Sequence, residues 1–185
     1  MQDLTPEQYF LNLACNDIQK YNELILFSKK FIEGTLESQF IMICGETSSG
    51  KTHFIKLLEL CSGLNDKIMR RGSRVFIPDI GNKHLIYSLS SADYVWFHEG
   101  AYYTHDFCNK VRKTNQLNNT YFIIEAYTPN KVFDFHGNAL ETGLPVTIIT
   151  IPARFARLEI TNIDVFHRTG PEIGELANFI TNFKI

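Results

Sequence analysis

The chain alternates between two kinds of hydrophobic pattern. Residues 5 to 33 place Phe10, Leu13, Ala14, Ile18 and Tyr21 at helical spacing behind Thr5-Pro6-Glu7-Gln8, which reads as a capping residue followed by Pro in the first helical position. One or two helices are expected there, ending near Gly34. From Gln39 the pattern changes to a short, wholly apolar run, Phe40-Ile41-Met42-Ile43-Cys44, bounded by Gly45. Its length and boundary predict a buried strand. Runs of the same type recur at 74–77 (RVFI), 94–97 (YVWF), 121–124 (YFII) and 146–151 (VTIITI), separated by polar or helix-compatible stretches. Strands spaced this way predict an α/β fold whose central, mostly parallel sheet is linked through flanking helices. YFIIEAY and VFDFH are separated only by Thr128-Pro129-Asn130-Lys131, a length that predicts a β-hairpin with a four-residue turn. Residues 174 to 183 return to helical spacing at Leu176, Phe179, Ile180 and Phe183, and this last helix is expected to pack back on the sheet. The expected organisation is a helical N-terminal segment, 1–38, before an α/β domain, 39–185.

Composition narrows the class. With 185 residues, 44% hydrophobic, 13% aromatic and 21% charged, the chain is that of a globular protein with one core. Eighteen Lys and Arg against 20 Asp and Glu leave a net charge of −2, so no global basic field holds nucleic acid, and any polyanion must meet a local patch. Cys15, Cys44, Cys61 and Cys108 form no CxxC pair and lie in or beside apolar runs, which argues against a zinc site or a disulfide framework and for a reducing compartment. The N-terminus lacks the basic start and apolar stretch of a signal peptide, and no apolar run approaches the roughly 20 residues of a membrane span. A soluble intracellular protein without a membrane partner is expected.

The chemistry begins where the first strand ends. Gly45-Glu46-Thr47-Ser48-Ser49-Gly50-Lys51-Thr52 is a complete GxxxxGK[ST] phosphate loop, followed at His53 by the helix-compatible HFIKLLELC. The glycines let the backbone curl so that its N–H groups and the helix N-terminus face an anion. Lys51 adds a point charge at the β/γ-phosphates, and Thr52 offers its hydroxyl to Mg²⁺. A Gly-rich turn before an ordinary helix could look similar, but a strand before the pattern and a helix after it are the context a nucleotide loop needs. Residues 45 to 53 are therefore the expected ATP site, with Mg²⁺ as its companion. A nucleotide hydrolase also needs a carboxylate at the end of a neighbouring strand to reach the metal and orient water. Glu99, in YVWFHEG, and Glu125, in YFIIEA, both qualify. Glu99 is preferred, because the hairpin carries Glu125 away from the nucleotide. HExxH chemistry fails, since position 102 is Tyr102. His98 and His105 read as ordinary surface or core residues, and Lys110, Arg112 and Lys113 as a solvated helix face.

Taken together, GETSSGKT, VWFHEG, a hairpin with a lysine at its turn, and PVTIIT followed by an arginine resemble the ATPase domain of superfamily 3 helicases, the replication proteins of small DNA viruses such as parvoviruses and papillomaviruses. The resemblance runs over roughly residues 39 to 165, and the parvoviral version is the most similar. It implies a P-loop ATPase in which Lys51 and Thr52 contact phosphate and Mg²⁺ and Glu99 orients water and meets the metal. It also implies that Asn130 and Lys131 at the hairpin turn contact single-stranded nucleic acid, with DNA the natural substrate. Arg157, or second to it Arg154, becomes a finger reaching the neighbouring subunit's nucleotide, which implies a hexameric ring in the host nucleus or cytoplasm.

Two positions depart from that pattern. His98 stands where the family has the first of two consecutive acids, and the third motif continues Thr150-Ile151-Pro152 where the family has a sensor Asn. Both departures favour a weakly hydrolysing nucleotide-binding assembly module as an alternative. A nucleoside or nucleotide kinase, with Asp79 or Glu99 activating an acceptor hydroxyl, is the other; no arginine-rich lid segment follows the core to favour it.

Overall fold

The computed structural model describes residues 4–46, 49–63, 68–71, 83–97, 109–126, 146–152 and 171–184. The chain divides into two compact units, one made of Met1–Glu37, Gly45–Asn65 and Ile151–Ile185, the other of Ser38–Cys44 and Asp66–Thr150.

The second unit is built on a parallel sheet. Its strands are β1 (Phe40–Cys44), β2 (Ile68–Arg71), β3 (Tyr94–Phe97), β4 (Tyr121–Ala126) and β5 (Val146–Thr150), in the spatial order β2-β3-β4-β1-β5. Every described pairing is parallel, so each connection is a crossover, which is the α/β expectation. β1 lies between β4 and β5 and is buried at all five residues, which is why it reads as an unbroken apolar run rather than an alternating one. The register sets Phe40 beside Phe122, and Phe122 beside Val95. One face therefore gathers Phe40, Val95, Phe97, Phe122 and Ile124 into a core with Leu89 of helix α4 (Lys83–Ser90), Val111 and Leu117. The rings of Phe40 and Phe122 stack at 5.8 Å, and the Arg112 guanidinium sits over the Phe40 ring, 5.4 Å from its centroid. At the start of the sheet the Gln39 side-chain amide donates to the carbonyls of Leu117 (2.6 Å) and Thr120 (2.8 Å), which ties the 3₁₀ turn Asn115–Leu117 to β1.

The run at 74–77 lies outside the described residues; the described strand in this part of the chain is β2, Ile68–Arg71, whose two arginines hid it from an apolar-run reading. β4 is paired along one edge to β3 over Tyr121–Ile124 and along the other to β1 over Phe122–Ala126, and the second arm of the expected hairpin, at 132–136, lies outside the described residues. The turn residues, Asn130 and Lys131 among them, lie outside the described residues.

The first unit is helical. α1 (Pro6–Leu13) opens with Thr5, whose hydroxyl accepts from the Gln8 backbone N–H while the Gln8 side chain accepts from the Thr5 N–H, a complete capping box with Pro6 in the first turn. α2 (Ile18–Ile32) is capped by Asp17 and ends before Gly34. α3 (Lys51–Ser62) follows the loop that leaves β1, and α5 (Ile173–Asn182) closes the described chain. Their core is aromatic: Phe10 lies edge-on to Phe54 at 6.5 Å and stacks on Phe179 at 6.2 Å, and Phe27 meets Phe54 at 6.2 Å. Each such side chain contributes about 1.5–3 kcal/mol on burial. The ring contacts of α5 and the residue after it run to α1 and α2, through Phe179 to Phe10 and Phe183 to Tyr21, helical partners where the sequence reading names the sheet.

Candidate nucleotide site

The loop leaves β1 at Gly45, and the fold leaves no room there for any other residue. Gly45 has φ +154°, and a Cβ on it would lie 2.5 Å from Ser49 Oγ and 2.6 Å from the carbonyl oxygen of Ile151. The carbonyl is backbone and cannot swing aside, so the glycine reflects close approach as well as conformation. The loop then turns back through a hydrogen bond from the Ser49 N–H to the Glu46 carbonyl (3.1 Å), with Ser49 fully buried. Gly50 caps α3 in the left-handed region (φ +104°, ψ 7°), and the helix begins with the Phe54 N–H donating to the Gly50 carbonyl at 2.9 Å.

No side chain caps α3, and its first turn carries no acid. The positive end of its dipole therefore has no carboxylate on that turn to offset it, which is the electrostatic condition for an anion site. The Lys51 ammonium lies across the loop, donating to the carbonyls of Gly45 (2.7 Å) and Glu46 (2.8 Å). Both acceptors are loop backbone, so the charge is held at the loop itself. Thr52 is half-buried on the first turn of α3, one residue beyond Lys51. A single hydroxyl suits Mg²⁺ held chiefly through nucleotide phosphates and water. Among the described residues no group of three or more His, Cys, Asp and Glu side chains offers an all-protein metal cage. His53 turns toward α1, its ring centroid 6.0 Å from that of Tyr9.

Of the expected site, the structure describes Gly45, Glu46, Ser49, Gly50, Lys51, Thr52 and His53, and brings them into one loop and helix turn. Thr47, Ser48, Glu99, Asn130, Lys131, Arg154 and Arg157 lie outside the described residues, as do Asp79, His98 and His105. Glu99 follows the C-terminal end of β3 by two residues of chain. Thr150 is the last residue of β5, half-buried and paired in register with Cys44, the residue from which the loop departs.

Glu125, the acid set second to Glu99 in the sequence, sits inside the sheet, opposite Ile43 of β1. It is 3% exposed, and its carboxylate accepts a hydrogen bond from the Trp96 indole N–H at 2.9 Å. Two further contacts of the site had no signal in the sequence: the Ile151 carbonyl against Gly45, and Tyr9 against His53. Both join residues far apart in the chain, and neither belongs to a local motif.

No protein-family model matches the chain, and no curated protein matches it. Among the described residues no helix is long and apolar enough to cross a membrane.

Proposed function

We propose that the chain binds ATP in the 45–53 loop and hydrolyses it with Mg²⁺. The observation that carries this reading is the loop itself: a glycine at a position a Cβ would fill, a left-handed glycine opening an uncapped helix, and a lysine ammonium resting on the loop's own carbonyls. Backbone N–H groups of the loop and the first turn of α3 orient the phosphates, and Lys51 follows the charge that builds on the β/γ-oxygens during transfer. When bound, Mg²⁺ neutralises and orders those phosphate oxygens, with Thr52 the loop residue that would hold it. Glu99, just past β3, orients the attacking water.

The resemblance to superfamily 3 ATPase domains extends the proposal. Hydrolysis is coupled to movement on single-stranded nucleic acid by a ring of subunits, Arg157 reaches a neighbour's nucleotide, and Asn130 and Lys131, in the chain just beyond β4, touch the strand. Those two residues lie outside the described residues and rest on their place in the chain.

The test is ATP turnover by the wild type and Lys51→Ala, with and without single-stranded DNA, with products resolved. Phosphate release by the wild type that Lys51→Ala lacks is expected, rising with DNA. Transfer of the phosphoryl group to a nucleoside or nucleotide instead would make the protein a kinase. Nucleotide binding without turnover would make it an assembly module.

A further inference from the structure

Two consecutive residues of α1 meet two consecutive residues of the loop helix. The Tyr9 ring centroid lies 6.0 Å from that of His53 with a 54° tilt, and Phe10 lies edge-on to Phe54 at 6.5 Å and 84°. His53 directly follows Thr52, so these contacts fall on the turn that carries the lysine and the hydroxyl of the phosphate site. Tyr9 is 0% exposed and Phe10 1%, so α1 is docked rather than laid on the surface. Phe10 and Phe54 are also gripped by Phe179 and Phe27, a shared helical core. His53 brings a polar ring into this aromatic layer, with its Nδ1 and the Tyr9 hydroxyl both buried. The chain leaving α1 is bent through two non-glycine residues in the left-handed region, Cys15 (φ 54°) and Asn16 (φ 60°). Such a conformation persists where the packing on both sides over-determines it.

We propose that Tyr9 is a positioning residue of the phosphate loop: acting through His53, it fixes the first turn of α3, so that docking of α1 and occupancy of the loop by a nucleotide stabilise one another. This rests on the reading of the loop as a nucleotide site. A turn already ordered by α1 loses less conformational freedom when phosphate binds, and the linkage is reciprocal: whatever α1 adds to nucleotide affinity, nucleotide adds to the docking of α1.

The experiment uses the whole chain with ADP as the probe. Hydrogen exchange of the α1 amides is followed with and without ADP, and ADP affinity is measured for wild type, Tyr9→Phe and Tyr9→Ala at a temperature where near-UV circular dichroism shows each to be folded. The expected result is slower exchange across residues 6–13 when ADP is bound, an affinity about ten-fold weaker in Tyr9→Ala, and rescue to within about two-fold by Tyr9→Phe, which keeps the ring. A merely structural role would lower the melting temperature of Tyr9→Ala and leave the affinity of the folded protein where it was. Wild type that binds ADP with unchanged α1 exchange, and a Tyr9→Ala variant that binds it equally well, would overturn the proposal alone. If Tyr9→Ala does not fold, the exchange result on the wild type decides. Wild type that binds neither ADP nor ATP overturns the phosphate-loop reading and, with it, this inference.

Discussion

The indole N–H of Trp96 on β3 donates to the carboxylate of Glu125 on β4 at 2.9 Å, with both side chains buried within the sheet unit. Trp96 is in register with Ile123, so Glu125 is its diagonal neighbour on the same face, within reach of a long aromatic side chain. A buried carboxylate depends on its donors far more than an exposed one, because desolvation is not recovered elsewhere. Trp96→Phe should therefore destabilise the fold by more than the lost area requires, by about 2–4 kcal/mol in all. Glu125→Gln, which keeps an acceptor oxygen, should cost less. Pairing Trp96→Phe with Glu125→Leu should recover part of the loss. Urea unfolding of wild type, Trp96→Phe, Glu125→Leu and their double, with Glu125→Gln beside them, checks this, and strictly additive effects across the cycle would show that the hydrogen bond contributes nothing beyond packing.

Gly45 and Gly174 should respond to the same substitution with opposite signs. A methyl at position 45 meets Ser49 Oγ and the Ile151 carbonyl at 2.5 and 2.6 Å, and only the first can move. Gly45→Ala is expected to cost about 1–3 kcal/mol and to weaken nucleotide binding. At Gly174, in the first turn of α5, nothing lies within 4 Å of the added methyl. There Ala lowers the entropy lost on folding and should stabilise by about 0.5–1 kcal/mol. Thermal unfolding of the two variants shows both signs; equal effects would mean that the close approach at Gly45 is not what the backbone feels.

What could be read from the sequence was what is written locally. Phe40 to Cys44 announced a buried parallel strand because both faces of β1 are covered, and Gly45, Gly50 and Lys51 announced the loop because its geometry demands those residue types at that spacing. β2 escaped because Arg70 and Arg71 broke the apolar run. The hairpin was inferred from the short spacing of two strand-like segments, and local spacing carries no information about neighbours. β4 takes β1 and β3 as partners, each from a distant part of the chain, which no local spacing could show. The contact of Tyr9 with His53 is illegible for the same reason, since it joins helices distant in the chain.

Cys61 should be a slow nucleophile. Burial pushes its thiol up to about 11 from an ordinary value near 9, and its Sγ faces the Ile173 carbonyl at 3.9 Å. A thiol two pH units higher carries about 100-fold less thiolate at pH 8, so alkylation of Cys61 in the folded protein should be slower than in the unfolded chain by at least that order. The sign for stability follows from the raised value. The neutral thiol is favoured by the fold, so its contribution is fully present below pH 9 and is lost as pH rises toward 11. Alkylation kinetics followed by peptide mapping, together with urea midpoints at pH 8 and 10.5 for wild type and Cys61→Ala, read both effects. Equal alkylation rates in the folded and unfolded protein would contradict the burial.

The last prediction separates the two candidate acids and asks whether the site is shared between subunits. Glu125 is engaged by Trp96 inside the sheet, so its carboxylate acts on packing, whereas Glu99 follows β3 by two residues of chain. Glu99→Gln is expected to bind ATP and lose turnover by 10²-fold or more, since an amide cannot polarise water. Glu125→Gln should hold turnover within a few-fold once stability is matched. The opposite pattern would move the catalytic acid to β4. If the ring is real, Arg157→Ala subunits, inactive alone, should regain partial turnover when mixed with Lys51→Ala subunits, because each brings to a shared interface the cation the other lacks. Mixtures as inactive as either parent, in a preparation that sediments as an oligomer, would place every catalytic group of the site on one chain.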